Sequence, residues 1–241
     1  MTPIPQRLLR LLGASLLALG MLLAFAPAAA AAALGSPTPA PASDEPARVI
    51  AGDPIHLDGN DLNRCAIGAV VTTSDGTYGF LTSYMCGNPG DTIIGPDGRV
   101  IGTVVWSSRQ DGVAFVELHD GWIPTSYVRT SPGQPPTRSI QGSREASIGA
   151  AVCRAGSATG WHCGTIQAKN QSIRFDWGTM YGLTRTSVCA EAGDLGGPFI
   201  SGNQIQGFLI GGTGSCRTGG TTYFVPINPI LAKYNLHLFT G

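Results

Sequence analysis

The sequence predicts an all-β, antiparallel, disulfide-braced fold with one short helix at its end. Three observations predict it. Short apolar runs recur along the chain, separated by Gly, Pro, Asn and Asp turn signals. Glycine is abundant, at 34 of 241 residues, while charged residues make up only 12%, which suits short strands and tight turns better than long surface helices. Six cysteines lie at 65, 86, 153, 163, 189 and 216, an even count after an export signal, which argues for three disulfides. Counting alone leaves 15 possible connectivities.

The export signal reads over residues 1–33. Arg7 and Arg10 form its positive start, 11–25 its apolar centre, and the alanines at 28–33 its small-residue cleavage region. The uncharged run 11–33 is also long enough to span a bilayer, so an uncleaved membrane anchor is the alternative. Residues 34–47, rich in Pro, Ala and Ser, read as an extended spacer. About 190 residues remain from Arg48, enough for one unit with a sizeable core. A secreted, monomeric protein is expected.

The strands follow in order. Runs at 66–72 and 78–82 flank Asp75-Gly76, a hairpin signal. Runs at 92–94, 100–106 and 113–118 follow, with Gly95-Pro96-Asp97-Gly98 as a turn. The stretch 130–143 holds Pro132, Gly133, Pro135, Pro136 and Gly142, and a boundary between two halves is placed there. Further strands are expected at 150–153, 163–167, 172–175, 199–200, 205–210 and 221–225. Asn228 as N-cap and Pro229 as first helical residue, with Ile230, Leu231 and Tyr234 at helical spacing, predict the one helix. This pattern alone fits a barrel or a sandwich.

Net charge is zero, which gives no electrostatic reason to expect a nucleic-acid partner. No metal or other cofactor is expected: there is no Cys-x-x-Cys pair, and His56, His119, His162 and His237 do not cluster in sequence with the cysteines.

The stretch that carries the chemistry is 188–200, Val-Cys-Ala-Glu-Ala-Gly-Asp-Leu-Gly-Gly-Pro-Phe-Ile. Gly193, Gly196, Gly197 and Pro198 make a tight turn around Asp194, and Cys189 is placed to tie it down. It resembles the Gly-Asp-Ser-Gly-Gly-Pro turn of chymotrypsin-like serine proteases. Residues 147–169 and 183–238 are similar to the bacterial branch of that family, the α-lytic protease and streptogrisin group. Val49-Ile50-Ala51-Gly52 and the segment from Gly79 to Cys86 fit the same register, and the likeness covers about 48–241.

The resemblance implies two antiparallel six-stranded barrels, about 48–131 and 144–241, with a cleft between them. It implies disulfides Cys65–Cys86, Cys153–Cys163 and Cys189–Cys216, each worth on the order of 3 kcal/mol in the loop-entropy account. It implies a buried ion pair between Arg154 and Asp194, an exposed Arg154 being the alternative. It also implies a long pro-region, whereas only a short spacer precedes Arg48, so folding without one is expected.

The triad is where this chain departs. The family's Thr-Ala-Gly-His-Cys reads Thr82-Ser83-Tyr84-Met85-Cys86, so Met85 holds the histidine position. A thioether has no proton chemistry near neutral pH and cannot serve as general base. The serine position holds Leu195, which has no lone pair with which to attack a carbonyl. The aspartate is retained as Asp111. The family's Ser-Gly-Gly segment reads Ile210-Gly211-Gly212, and isoleucine cannot bond the aspartate as that serine does.

Met85, Leu195 and Ile210 are therefore expected to converge near Asp111. Backbone N–H groups near Tyr84 and Met85 would hold its carboxylate, or it would take up a proton; a strand-end surface aspartate is the alternative. Gly193 and Leu195 would keep an oxyanion hole. Ala190, Glu191, Ala192, Ile210, Gly211 and Gly212 would wall the pocket, with Glu191 hinting at basic ligands. Ser83, Ser187, Ser201 and Ser215 are expected in turn and strand roles rather than as nucleophiles.

The expectation is an exported, catalytically inactive protease homologue that binds an extended peptide or protein in its cleft. The competing expectations are an active serine-type hydrolase with a rearranged site and an anchored cell-envelope scaffold.

Overall fold

Residues Ala69–Thr73 and Tyr78–Ser83 show how the chain makes its sheets. They pair antiparallel across a turn in which Gly76 takes φ +89, a conformation that glycine supplies without strain. The Thr73 hydroxyl and the Thr77 amide both donate to the Asp75 carboxylate and fix that turn. Side chains alternate from there, so Phe80 enters one core while Leu81 enters another.

The computed structural model describes residues 47–241 other than 132, 134 and 137, and leaves aside the side chains of 60–63. The leader 1–33 and all but the last residue of the spacer lie outside the described residues. That last residue, Ala47, begins a strand rather than ending a spacer.

The first half contains β1 (Ala47–Ala51), β2 (Pro54–Leu57), β3 (Asn60–Ala66), β4 (Ala69–Thr73), β5 (Tyr78–Ser83), β6 (Thr92–Ile94), β7 (Val100–Ser108), β8 (Val113–Leu118), β9 (Trp122–Val128) and β10 (Arg138–Ser139). A single 3₁₀ turn, Tyr84–Cys86, follows β5. The second half contains β11 (Ala151–Gly156), β12 (Gly160–Phe175), β13 (Gly178–Thr186), β14 (Pro198–Ser201), β15 (Gln204–Ser215) and β16 (Gly219–Pro226). The helix α1 (Ile227–Lys233) and a last strand β17 (Leu236–Leu238) close the chain.

The second half is a closed six-stranded barrel in the order β11-β12-β13-β16-β15-β14. The first half is a half-barrel and corrects the expected strand count. Its main sheet has eight strands, in the order β17-β4-β5-β8-β7-β6-β2-β3, and stays open. It borrows β17 from the chain's end, where Leu236 to Leu238 pair antiparallel with β4. A separate three-stranded sheet joins β1, β9 and β10, and its β1–β9 pairing is parallel.

Three further differences have local causes. The stretch expected as a linker contributes β10, because Arg138 and Ser139 pair with Val128 and Tyr127. Residues 163–167 and 172–175 are one strand, β12, since Asn170 takes φ +54 and absorbs an irregular register against β13. The helix begins two residues before the expected position, with Pro226 extended (φ −60, ψ 135) as its N-cap. Asn228 lies inside it, and its side chain donates instead to the Ser143 carbonyl.

Three apolar clusters hold the halves. Phe80, Ile55, Ile93 and Val116 fill the first half, and Val152, Ile166, Phe199 and Phe224 fill the barrel. The largest cluster crosses between them: Leu81, Val113 and Phe115 from the half-barrel meet Met180, Phe208, Ile210 and Val225 from the barrel. Ile230 and Leu236 seal it. A shared core of this kind packs the two halves directly against each other.

Candidate functional site

The turn 191–197 is built around a buried charge pair. Arg154 and Asp194 are both fully buried, with Nη2 and Oδ2 3.1 Å apart. The Asp194 carboxylate accepts from the amides of Ala158, Thr159 and Glu191, each at 3.0 Å, and from the Thr159 hydroxyl at 2.7 Å. Arg154 donates through Nε and Nη2 to the Cys189 carbonyl. Burial pushes the Asp194 carboxyl up, but the Arg154 charge and these donors outweigh it and hold it below the ordinary carboxylate range. Gly156 leaves the room: a Cβ there would sit 1.8 Å from Arg154 Nη1.

The same turn is fastened to the first half. The Ala66 amide donates to the Leu195 carbonyl at 2.7 Å, and a Cβ on Gly196 (φ +80) would lie 2.1 Å from Thr82 Oγ1. The three disulfides are Cys65–Cys86, Cys153–Cys163 and Cys189–Cys216. The first braces the 3₁₀ turn that carries Met85, and the third ties the segment before the 191–197 turn to the end of β15. His162 lies close to the third, with its ring nitrogen and both sulfurs within 4.8 Å of one another. Those sulfurs are bonded to each other, so His162 is the cluster's one available metal donor.

Asp111 sits in the turn between β7 and β8 and is held differently from the expectation. Its carboxylate accepts from Lys233 Nζ at 2.8 and 2.7 Å, from the Tyr234 hydroxyl at 2.6 Å and from the Ser108 hydroxyl at 2.6 Å. The amides near it are already engaged: Tyr84 N–H goes to the Gly112 carbonyl and Met85 N–H to Ser83 Oγ. Side-chain donors from the C-terminal helix therefore replace the expected backbone donors. Burial raises the Asp111 carboxyl, yet the bonds from Lys233, Ser108 and Tyr234 win and hold it below its ordinary range. It is ionised at neutral pH, which corrects the protonation alternative.

A folded-state pKa below the unfolded value gives a defined sign. The stabilisation is complete above the ordinary carboxylate range and is lost as pH falls through the lowered value. Asp111→Asn is expected to lower the melting temperature at pH 7, and the gap from wild type should close towards about pH 2. Lys233 is 55% exposed, so the gap is small. Thermal melts across pH read this directly; a constant gap would rule the carboxylate out as its source.

The remaining site residues divide. Met85 and Ile210 pack in the shared core, and Ile210 Cδ1 lies 3.2 Å from where a Cβ on Gly112 would be. Ile210 is fully buried, so its side chain does not line the pocket as expected. Leu195 is half-buried and packs against the other two clusters. Glu191, Ala192 and Gly212 are exposed, while Ala190 and Gly211 are half-buried. Glu191 Oε1 accepts from the Cys216 amide at 3.0 Å, which ties the turn to the end of β15, and the carboxylate remains exposed.

Sequence reasoning passed over Lys233, Tyr234 and Ser108 as site residues. It also passed over an aromatic bridge. Trp177, in the β12–β13 hairpin, donates its indole N–H to the Tyr84 hydroxyl at 3.0 Å. Phe175 stacks on Trp177 at 5.3 Å, and Arg109 lies over it at 5.8 Å. The signal was Tyr84 itself, a bulky residue where the family motif has glycine.

The comparisons agree with this architecture. The family model described as Trypsin matches residues 97–233. Streptogrisin-C of Streptomyces griseus is 45% identical over 197 residues, covering 81% of this chain, while the chain spans only 42% of that protein's length. Serine protease 2 of Streptomyces fradiae is 33% identical over 180 residues, 72% of this chain and 100% of that protein. Among solved structures, Thermobifida fusca Protease A is 43% identical with a TM-score of 0.73, over 81% of this chain and 100% of that one.

Proposed function

The chain belongs to the trypsin family of chymotrypsin-fold serine proteases, of the streptogrisin and α-lytic protease type, and from that premise we propose that it is an exported, catalytically silent member whose cleft binds extended peptide. The observation that carries this reading is the set of bonds to Asp111. Its carboxylate is spent on Lys233, Tyr234 and Ser108, while Met85 and Leu195 stand at the positions of base and nucleophile. No imidazole is present at position 85 to take a proton, and no hydroxyl at position 195 to give one.

The nearby serines support it. Ser83 caps the 3₁₀ turn, Ser187 accepts from the Thr165 amide, Ser201 donates to the Ala151 carbonyl and Ser215 bonds Thr218. Each is engaged in a turn or strand, and among the described residues none hydrogen-bonds to an imidazole, carboxylate or amine. The strand edge at Gly211 and Gly212 supports peptide binding, since an extended chain adds to such an edge through its backbone.

A serine-directed fluorophosphonate probe tests the reading. Wild-type protein is expected to show no labelling, because removal of a nucleophile or base in such a site costs roughly 10⁶ in turnover. Labelling of wild type at a single serine would overturn it. Export is tested by N-terminal sequencing of protein from the culture medium.

A further inference from the structure

The β12–β13 hairpin reaches beyond the barrel it belongs to. β12 pairs with β11 only as far as Thr165, and β13 pairs with β16 only from Thr184 on. Beyond those points the two strands pair with each other. None of residues 167–179 is fully buried. Along this arm the side chains alternate. Ile173, Phe175 and Trp177 pack against the shared cluster, whereas Ser172, Arg174 and Asp176 are exposed. Tyr84 and Met85 pack against the same cluster from the first half. The arm therefore reaches across from one half to the other, beside Met85.

One residue pins the tip of the arm. Trp177 lies in the turn closed by the pair Phe175 and Gly178, and its indole N–H donates to the Tyr84 hydroxyl at 3.0 Å. The two rings meet edge-on, with centroids 5.9 Å apart and planes at 81°. Tyr84 is itself held through its backbone: its N–H donates to the Gly112 carbonyl, and its carbonyl accepts from the Ser107 hydroxyl. Arg109, from the loop that carries Asp111, lies over the same indole. Contacts of these kinds each shift an equilibrium by about ten-fold or less. An arm with no fully buried residue, held at its tip by such contacts, can be both fixed and released.

We infer that the hairpin is a lid on the cleft, latched shut by Trp177 and Tyr84, and that a peptide enters only when this latch opens. This rests on the peptide-binding reading of the cleft and adds its control. Glycine at position 84, as in the family motif, has neither ring nor hydroxyl and could not meet the indole, so the latch belongs to this chain. The residue that closes it is also the sequence neighbour of Met85, so the closing contact stands where the base has been lost. A lid open one-tenth of the time weakens apparent binding about ten-fold, and removing the latch restores that factor.

Tyr84→Gly removes the latch from one side and Trp177→Leu from the other, so the second covers the case in which the first does not fold. Hydrogen exchange of the full chain, read by mass spectrometry, is expected to quicken about ten-fold across 171–181 in both variants, with β11 and β14 unchanged. A fluorescein-labelled pool of randomised pentapeptides, followed by anisotropy, is expected to bind both variants about ten-fold tighter than wild type. Tyr84→Phe keeps the ring without the hydroxyl and should fall between. Unchanged exchange across the hairpin in both variants would overturn the latch. Faster exchange with wild-type peptide affinity would overturn the lid while leaving the peptide cleft standing. No binding of the pool to any form would overturn the peptide-binding reading and the lid with it.

Discussion

Asp194→Ala is expected to lower the unfolding free energy by about 3–5 kcal/mol, the cost of stranding one partner of a buried ion pair. Arg154 would be left with its charge fully buried, and the amides of Ala158, Thr159 and Glu191 would lose their acceptor. Asp194→Asn should cost a similar amount, because it restores hydrogen-bonding capacity but no negative charge. A second change, Arg154→Met on top of Asp194→Ala, should recover part of the loss, since it removes the uncompensated cation. Urea titration at neutral pH measures all of these. A loss below about 1 kcal/mol for the single variant would mean that the disulfides and the shared core hold the turn without the pair. The point bears on function, because the same carboxylate sets the backbone on which the Gly193 and Leu195 amides stand.

What was legible in the sequence was mostly local. The turn 188–200 announces itself through its glycines and Pro198, and the Asp75-Gly76 hairpin through its turn chemistry. The disulfide partners and the Arg154–Asp194 pair came through family likeness, not through spacing. What was not legible depends on distant partners. Lys233 lies 122 residues from Asp111 in sequence, and nothing in a short helix ending in Lys-Tyr says which acid it will meet. Likewise β17 joins β4 only because the chain returns across the shared core, so the open eight-stranded sheet could not be read from strand spacing. That Glu191 accepts from the Cys216 amide, 3.0 Å away, could not be read from the sequence either. Ile210 was placed at a pocket wall by its neighbours Gly211 and Gly212. It ends a continuously buried run of β15, from Ile205 to Ile210, and packs with Phe208 in the shared core instead.

The bonds to Asp111 change what a repaired site would need. Met85→His, Leu195→Ser and Ile210→Ser together would return a base, a nucleophile and the serine that bonds the aspartate in active relatives. Lys233 and Tyr234 would still hold the carboxylate, and an imidazole at position 85 would lack its orienting partner. In an active triad, spoiling the aspartate's role costs about 10⁴ in turnover. The triple variant is therefore expected to label only slowly with a fluorophosphonate. Adding Lys233→Met, which removes the charged donor and keeps an apolar stem while Tyr234 and Ser108 stay bonded, should speed labelling by up to about 10²-fold, the lower end of what a positioned base contributes. Lys233→Met in the wild-type background should give no labelling, because it creates no nucleophile. Equal labelling rates for the triple and quadruple variants would show that Lys233 yields to the imidazole without cost. In that case Met85, Leu195 and Ile210 alone would account for the proposed absence of hydrolysis, without a share from the contacts of the C-terminal helix.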